Sequence, residues 1–316
     1  MKILIADDDE MSRRLLERTL EREGYEVIAV ENGRLALLQL SVPEGPRLAL
    51  LDWMMPELDG PGVCLAIRKQ HERPYIHIVL LTSKGSKPDV VAGLEAGADD
   101  YLTKPWDPGE LTARLRVGQR FLQLEDRLVE ARETMRFKAT HDNLTSLFNR
   151  GVIIDLLDRE LTRTRRENGC TVVMLGDLDH FKSINDSYGH VVGDEVLREI
   201  ARRLLQSVRS YDFVGRYGGE EFLIVLNNCD STQAIARANE VRNGIANHHV
   251  QTMSGPLPVT ISLGVFASRD WNAKPVEDIL IQTDLALYRA KANGRNCVML
   301  ANPPVLIDHV EPVAQF

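Results

Sequence analysis

From residue 1 to about residue 105, short apolar runs alternate with longer stretches in which apolar positions recur at helical spacing. The runs cover residues 2–6, 25–29, 48–51, 77–81 and 101–102. A strand buried on both faces reads as an unbroken apolar run, and a parallel neighbour is reached only through a crossover, usually a helix. The pattern therefore predicts five βα units, a doubly wound α/β domain with a parallel five-stranded sheet over residues 1–120.

Residues 107–140 read differently. No proline follows Pro108, and Leu, Glu, Arg and Gln dominate, which predicts one long helix continuing the last helix of the first domain. Val117, Phe121, Leu124, Leu128, Ala131 and Met135 follow one another in steps of four, three, four, three and four. Such steps form a heptad seam that suits a coiled coil with a second copy, or equally an amphipathic helix packed on its own domain.

Residues 141–301 form a second compact region. Its pattern predicts an opening helix, a strand at 171–175, a helix at 195–208 and two strands flanking Gly218-Gly219. A helix at 231–246, a strand at 259–266, a helix at 276–292 and a strand near 297–300 follow, so a mixed α/β fold with a hairpin is expected. Residues 302–316 carry Pro303, Pro304 and Pro312 without periodicity and read as a flexible tail.

Composition narrows the partners. Of the 316 residues, 46 are acidic and 38 basic, a net charge of −8 with no segregated basic patch, so nucleic acid is not an expected partner. No apolar run approaches the length of a membrane span, and strand-like sequence begins at Lys2; an unprocessed, soluble, cytoplasmic chain is the expectation. Cys64, Cys170, Cys229 and Cys297 lie far apart, which indicates neither a disulfide framework nor a zinc site.

Asp7 and Asp8 close the first predicted strand, Asp52 the third and Thr82 the fourth, while Lys104 follows the fifth. Ligands of an open parallel sheet bind beyond the carboxyl ends of its strands, so these residues can converge. Three carboxylates together resist ionisation unless a cation joins them, and a hard, oxygen-seeking ion such as Mg²⁺ fits. With a metal and a lysine to neutralise an incoming phosphate, Asp52 can serve as a phosphoryl acceptor.

These residues resemble the receiver domain of two-component response regulators. The resemblance implies the 2-1-3-4-5 strand order and a Mg²⁺ held by Asp8, Asp52 and the Met54 carbonyl, with Asp7 assisting through water. It also implies phosphate received from a cognate histidine kinase, Lys104 paired with the phosphoryl group, and Thr82 and Tyr101 as switch residues.

In the second region the informative stretches are Gly176-Asp177-Leu178-Asp179-His180-Phe181-Lys182-Ser183-Ile184-Asn185-Asp186, then Gly193-Asp194, then Arg216-Tyr217-Gly218-Gly219-Glu220-Glu221-Phe222. Two glycines before a strand predict a tight hairpin with positive φ angles and bare backbone for a ligand. Glu220 and Glu221 would sit at its tip. If the strand ending at Asp177 is a neighbour, Asp177 and Glu220 can share divalent ions, the usual device for in-line attack of a hydroxyl on a phosphate.

The same residues look like the GGDEF family of diguanylate cyclases in its Gly-Gly-Glu-Glu-Phe form. The opening run from His141 to Arg150 matches too, with Ser146 where that family usually has glycine. The resemblance implies condensation of two GTP into cyclic di-GMP and two pyrophosphates, and two Mg²⁺ on Asp177, Glu220 and the Leu178 carbonyl. Glu221 becomes a further ligand or the group that helps deprotonate the attacking 3′-hydroxyl. Asn185 and Asp194 read guanine, Phe181, Gly218 and Gly219 line the nucleotide, and Lys182, Lys291 and Arg295 neutralise the triphosphate.

Arg209 and Asp212 match the family's product-inhibition site, with Arg237 and Arg242 as positional candidates for its second arginine. Because the product ring is two-fold, the resemblance also implies a homodimer through the receiver and the helix, with phosphorylation of Asp52 changing how two chains pair. The alternative reading is a catalytically inactive receptor that binds cyclic di-GMP; Asp177, Lys182, Asn185, Glu220 and Glu221 all being present argues against it. A DNA-binding response regulator would need a basic helix-turn-helix output domain, which the acidic balance opposes.

Overall fold

The computed structural model describes residues 1–70, 73–83, 87–229, 231–268 and 275–301, so the segment expected to be a loose tail lies outside the described residues. The chain divides into two compact units after Glu133.

The first unit runs β1 (Lys2–Ala6), α1 (Glu10–Arg22), β2 (Glu26–Val30), α2 (Gly33–Leu40), β3 (Leu48–Asp52) and α3 (Gly60–Arg68). It continues through β4 (His77–Thr82), α4 (Lys87–Glu95), β5 (Asp100–Thr103) and α5 (Pro108–Thr140). All five strands are parallel in the order β2-β1-β3-β4-β5, as the receiver resemblance implies. β3 and β4 are buried at every residue, which is why their sequence shows no alternation. Asp9, Asn32 and Asp59 cap α1, α2 and α3, each side chain accepting from a backbone N–H three residues on.

The expected long helix is α5. It turns Leu111, Leu115, Gly118 and Leu122 inward. The seam residues Val117, Phe121, Leu124, Leu128 and Met135 remain 45–71% exposed. The face that packs on the domain is therefore mainly that of Leu111, Leu115, Gly118 and Leu122; of the seam, Phe121 lies against Tyr75 and His77, with ring centroids 5.1 and 6.2 Å away.

The second unit contains α6 (Arg150–Glu167), β6 (Val172–Leu178), α7 (Phe181–Tyr188), α8 (His190–Ser207), β7 (Phe213–Arg216) and β8 (Glu221–Leu226). α9 (Ser231–Ala246), β9 (Val250–Thr252), β10 (Gly255–Leu257), β11 (Ile261–Ala267), α10 (Val276–Ala292) and β12 (Val298–Leu300) follow. The main sheet is β12-β11-β6-β8-β7, with β11 and β12 parallel and the other pairs antiparallel. Alternate residues of β6 and β8 feed two apolar layers. Val172, Met174 and Ile224 pack with α8 and α9, while Val173, Leu175 and Val225 pack with α6 and α10. Two elements escape the apolar pattern: α7, whose eight residues are mostly polar, and the β9–β10 hairpin, with three residues in each strand.

Candidate active site and phosphoacceptor site

At the carboxyl ends of β1, β3 and β5 the first unit gathers the expected cluster. Asp7 is fully buried and Asp52 nearly so. Lys104 Nζ lies 2.8 Å from Asp7 Oδ2 and 3.0 Å from Asp52 Oδ1. Asp7, Asp8 and Asp52 offer oxygens all within 4.8 Å of one another, the one such acidic group among the described residues. Burial outweighs the Lys104 contact and pushes the Asp52 carboxyl above its ordinary range. Burial alone would lower the Lys104 pKa, but its hydrogen bonds to Asp7 and Asp52 hold the ammonium above its ordinary range. An all-oxygen set of this kind suits a hard divalent ion. Thr82 is buried at the end of β4, and Tyr101 is half-buried with the Arg114 guanidinium 5.6 Å from its ring.

In the second unit β6 and β8 are neighbours, and Asp177 stands directly across from Glu221. Leu178 N–H donates to the Glu220 carbonyl at 3.3 Å. Lys291, from the last turn of α10, places Nζ 2.7 Å from Asp177 Oδ2. Even so, burial pushes the Asp177 carboxyl up, and burial followed by repulsion from Asp177 does the same to Glu220 and Glu221. Three carboxylates whose charges are mutually unfavourable form a donor set that a divalent cation would relieve. They are spaced more widely than the Asp7, Asp8 and Asp52 group, and a lysine ammonium holds the innermost one.

α7 and α8 bring Asn185 to the residue preceding Asp194. A Cβ on Gly193 would fall 2.0 Å from Asn185 Oδ1 and 3.3 Å from Phe181 Cζ, so only glycine lets that amide lie against α8. Lys182 is exposed on α7, and Arg295 is exposed just beyond α10. One expectation is corrected: neither Gly218 nor Gly219 has a positive φ. The turn closes through Tyr217 N–H on the Glu221 carbonyl at 2.8 Å. A Cβ on Gly218 would meet Glu221 Oε2 at 2.4 Å, so a larger residue there would shift that carboxylate; at Gly219 the space is open.

Comparison with known families settles the classification. Residues 139–297 match the diguanylate cyclase, GGDEF domain family, and residues 3–116 match the response regulator receiver domain family. The chain belongs to the GGDEF family. Response regulator PleD from Caulobacter vibrioides is 32% identical over 94% of this chain, and diguanylate cyclase DosC from Escherichia coli is 37% identical over 53% of it. The chain spans 65% and 36% of the lengths of these relatives. Among solved structures, the coiled coil and GGDEF domain of DgcB from Caulobacter crescentus, in complex with c-di-GMP, matches 60% of this chain and 99% of that one, at 30% identity and a TM-score of 0.52. Diguanylate cyclase SiaD from Pseudomonas aeruginosa, in complex with its activator SiaC, matches 61% of this chain and 72% of that one, at 33% identity and a TM-score of 0.50.

Within the GGDEF unit, the Arg209–Asp212 turn is tied down by its own members and by Asn227. Asp212 accepts from Arg209 N–H and from Asn227 N–H, both at 2.9 Å, and Arg209 Nη1 donates to Tyr211 OH at 2.7 Å. Arg237 donates to the Ser207 carbonyl at 3.0 Å, two residues before Arg209, whereas Arg242 is turned to Asn296. Residues without an expected role also shape the site. Arg216 donates to the Gly219 carbonyl at 3.1 and 2.7 Å and to Asp142 at 3.1 and 3.2 Å, joining the segment after α5 to the acidic hairpin. Asp179 is buried. The Asp-x-Asp spacing singles it out, but a spacing cannot tell an inward carboxylate from a ligand.

Proposed function

We propose that this chain is a phosphorylation-regulated diguanylate cyclase that works as a dimer, converting two GTP into cyclic di-GMP and two pyrophosphates. The observation that carries the reading is the pairing of Asp177 with Glu221 across β6 and β8, with Lys291 on the inner carboxylate. The named cyclases among its relatives support it. Asp177, Glu220 and the Leu178 carbonyl would hold two Mg²⁺, and Asp8, Asp52 and the Met54 carbonyl one more. Bound there, Mg²⁺ supplies charge neutralisation at the phosphates and a more acidic attacking hydroxyl.

The remaining roles fall to side chains. Asn185 donates to guanine O6 and Asp194 accepts from N1 and N2, a pattern adenine does not offer. Lys182, Lys291 and Arg295 bind the triphosphate. For Lys291 this means exchanging the Asp177 carboxylate for phosphate oxygens when nucleotide arrives. Glu221, raised above its ordinary range, suits acceptance of the 3′-hydroxyl proton. Cyclic di-GMP acts as inhibitor at Arg209 and Asp212, and Arg237 is the better second arginine because its guanidinium reaches the Ser207 carbonyl, two residues before Arg209. In the receiver, Asp52 takes phosphate from a histidine kinase, and Thr82 and Tyr101 respond.

Purified protein with GTP and Mg²⁺ is expected to release pyrophosphate and form cyclic di-GMP, faster after beryllofluoride treatment. Glu220→Ala should lower turnover by at least about a hundredfold; full activity in that variant would overturn the assignment. Binding of cyclic di-GMP without turnover by the unmutated chain would support the inactive receptor instead.

A further inference from the structure

We infer that Asp179 and Arg242 are positioning residues that hold the turn bearing Arg295 in a left-handed conformation and so aim its guanidinium at the triphosphate; this rests on the cyclase reading above. Between α10 and β12 three successive residues have positive φ: Gly294 at 98°, Arg295 at 62° and Asn296 at 44°. Glycine adopts this region freely, but Cβ crowds the following carbonyl in the other two, so such a turn persists only where its surroundings enforce it.

The surroundings do so from two sides. Asp179, 5% exposed, accepts from Asn296 N–H at 2.9 Å and Thr260 Oγ1 at 2.7 Å on Oδ2, and from Ser262 Oγ at 2.7 Å on Oδ1. Although it shares an Asp-x-Asp motif with Asp177, its carboxylate is occupied inside the fold. From α9, Arg242 Nη1 donates to the Asn296 carbonyl at 3.1 Å and to Asn296 Oδ1 at 2.8 Å. Asn239 and Asn243 accept from the other guanidinium nitrogens at 3.3 and 2.7 Å, fixing the arginine itself. Arg295 N–H closes the turn on the Ala290 carbonyl at 3.2 Å.

What the clamp presents is the Arg295 side chain, exposed four residues beyond Lys291, whose ammonium lies 2.7 Å from Asp177 Oδ2. Were the turn to relax to ordinary negative φ, the Cβ of Arg295 would swing and its guanidinium would leave that position. An arginine that binds the triphosphate in both ground and transition states acts on KM more than on kcat.

The test is GTP titration of the full chain with Mg²⁺. Arg242→Ala is expected to raise KM by about tenfold while kcat changes less than about threefold, with Asp179→Asn moving the same way. Adding Asn296→Gly to Arg242→Ala should recover most of the loss, because glycine adopts the left-handed turn without a clamp. Arg295→Ala should make Arg242→Ala silent, the non-additivity expected of one residue acting through another. An unchanged KM in Arg242→Ala, or additive effects with Arg295→Ala, would overturn the inference, and Arg242 carries this test even where the buried Asp179 variant fails to fold. Affinity for a non-hydrolysable GTP analogue, measured on the same proteins, separates the two claims. Absence of turnover in the unmutated chain overturns the cyclase reading, whereas equal affinity with and without Arg242 overturns the clamp.

Discussion

Ser146 stands at φ 58°, with its N–H on the Asp142 carbonyl at 2.9 Å. The structure thus explains why glycine is usual at this position of the family: the tight turn after Asp142 needs a left-handed residue. Ser146→Gly is expected to stabilise the GGDEF unit by up to about 1 kcal/mol, strain relief offset in part by greater freedom in the unfolded chain, read as an upward shift in thermal midpoint with activity unchanged. His77 carries a different tension. It is 6% exposed, neither ring nitrogen makes a hydrogen bond, and a Cβ on Gly118 of α5 would come within 2.5 Å of its ring. Burial, opposed by Asp99 and Asp100 and reinforced by Arg68, lowers its pKa from 6.5. Below pH 6.5 the unfolded chain therefore binds the proton at this residue more readily than the folded one, so the His77 contribution to receiver stability is full above that pH and declines as pH falls toward the folded value. The decline is limited to about 1.4 kcal/mol per pH unit, and His77→Leu should flatten it in denaturant titrations between pH 7 and pH 5.

Among the elements, α5 and the β7–β8 hairpin decide most. The outer face of α5 leaves Leu124 63% and Leu128 70% exposed, so charges there disturb no packing within the receiver. Leu124→Glu combined with Leu128→Glu is expected to leave the thermal midpoint within a few degrees of the parent while abolishing self-association in light scattering and, with it, cyclase activity. A dimer surviving both substitutions would place the pairing surface elsewhere. At the far end of α5, Phe137 stacks on His141 with ring centroids 4.3 Å apart, and Asp142 next to it binds Arg216. Burial alone would raise the Asp142 carboxyl, but hydrogen bonds from Thr145 and the Arg216 guanidinium hold it below its usual range. A route of direct contacts thus leads from the last turns of the helix to the Gly219 carbonyl, one residue before Glu220.

For the molecule as a whole, the proposed two-fold product would require two catalytic units at once. If each chain supplies half of the catalyst, mixing wild-type chains with Glu220→Ala chains under exchanging conditions should lower activity as the square of the wild-type fraction. A linear fall would mean that one site suffices. The amino-acid sequence by itself determined the two-unit plan, the parallel strand pattern and the cluster Asp7, Asp8, Asp52 and Lys104, because strand ends and apolar runs are local signals. It also singled out Asp177, Glu220 and Glu221 through a dense motif. Only the tertiary structure decided which face of α5 is buried, since both candidate faces are apolar. It showed that Gly218 leaves room for the Glu221 carboxylate and is not required by φ, because that depends on where the Glu221 carboxylate lies. It also turned Asp179 inward and Arg242 toward Asn296, since a side chain's partners come from strands and helices distant in sequence, and spacing along the chain carries no record of them.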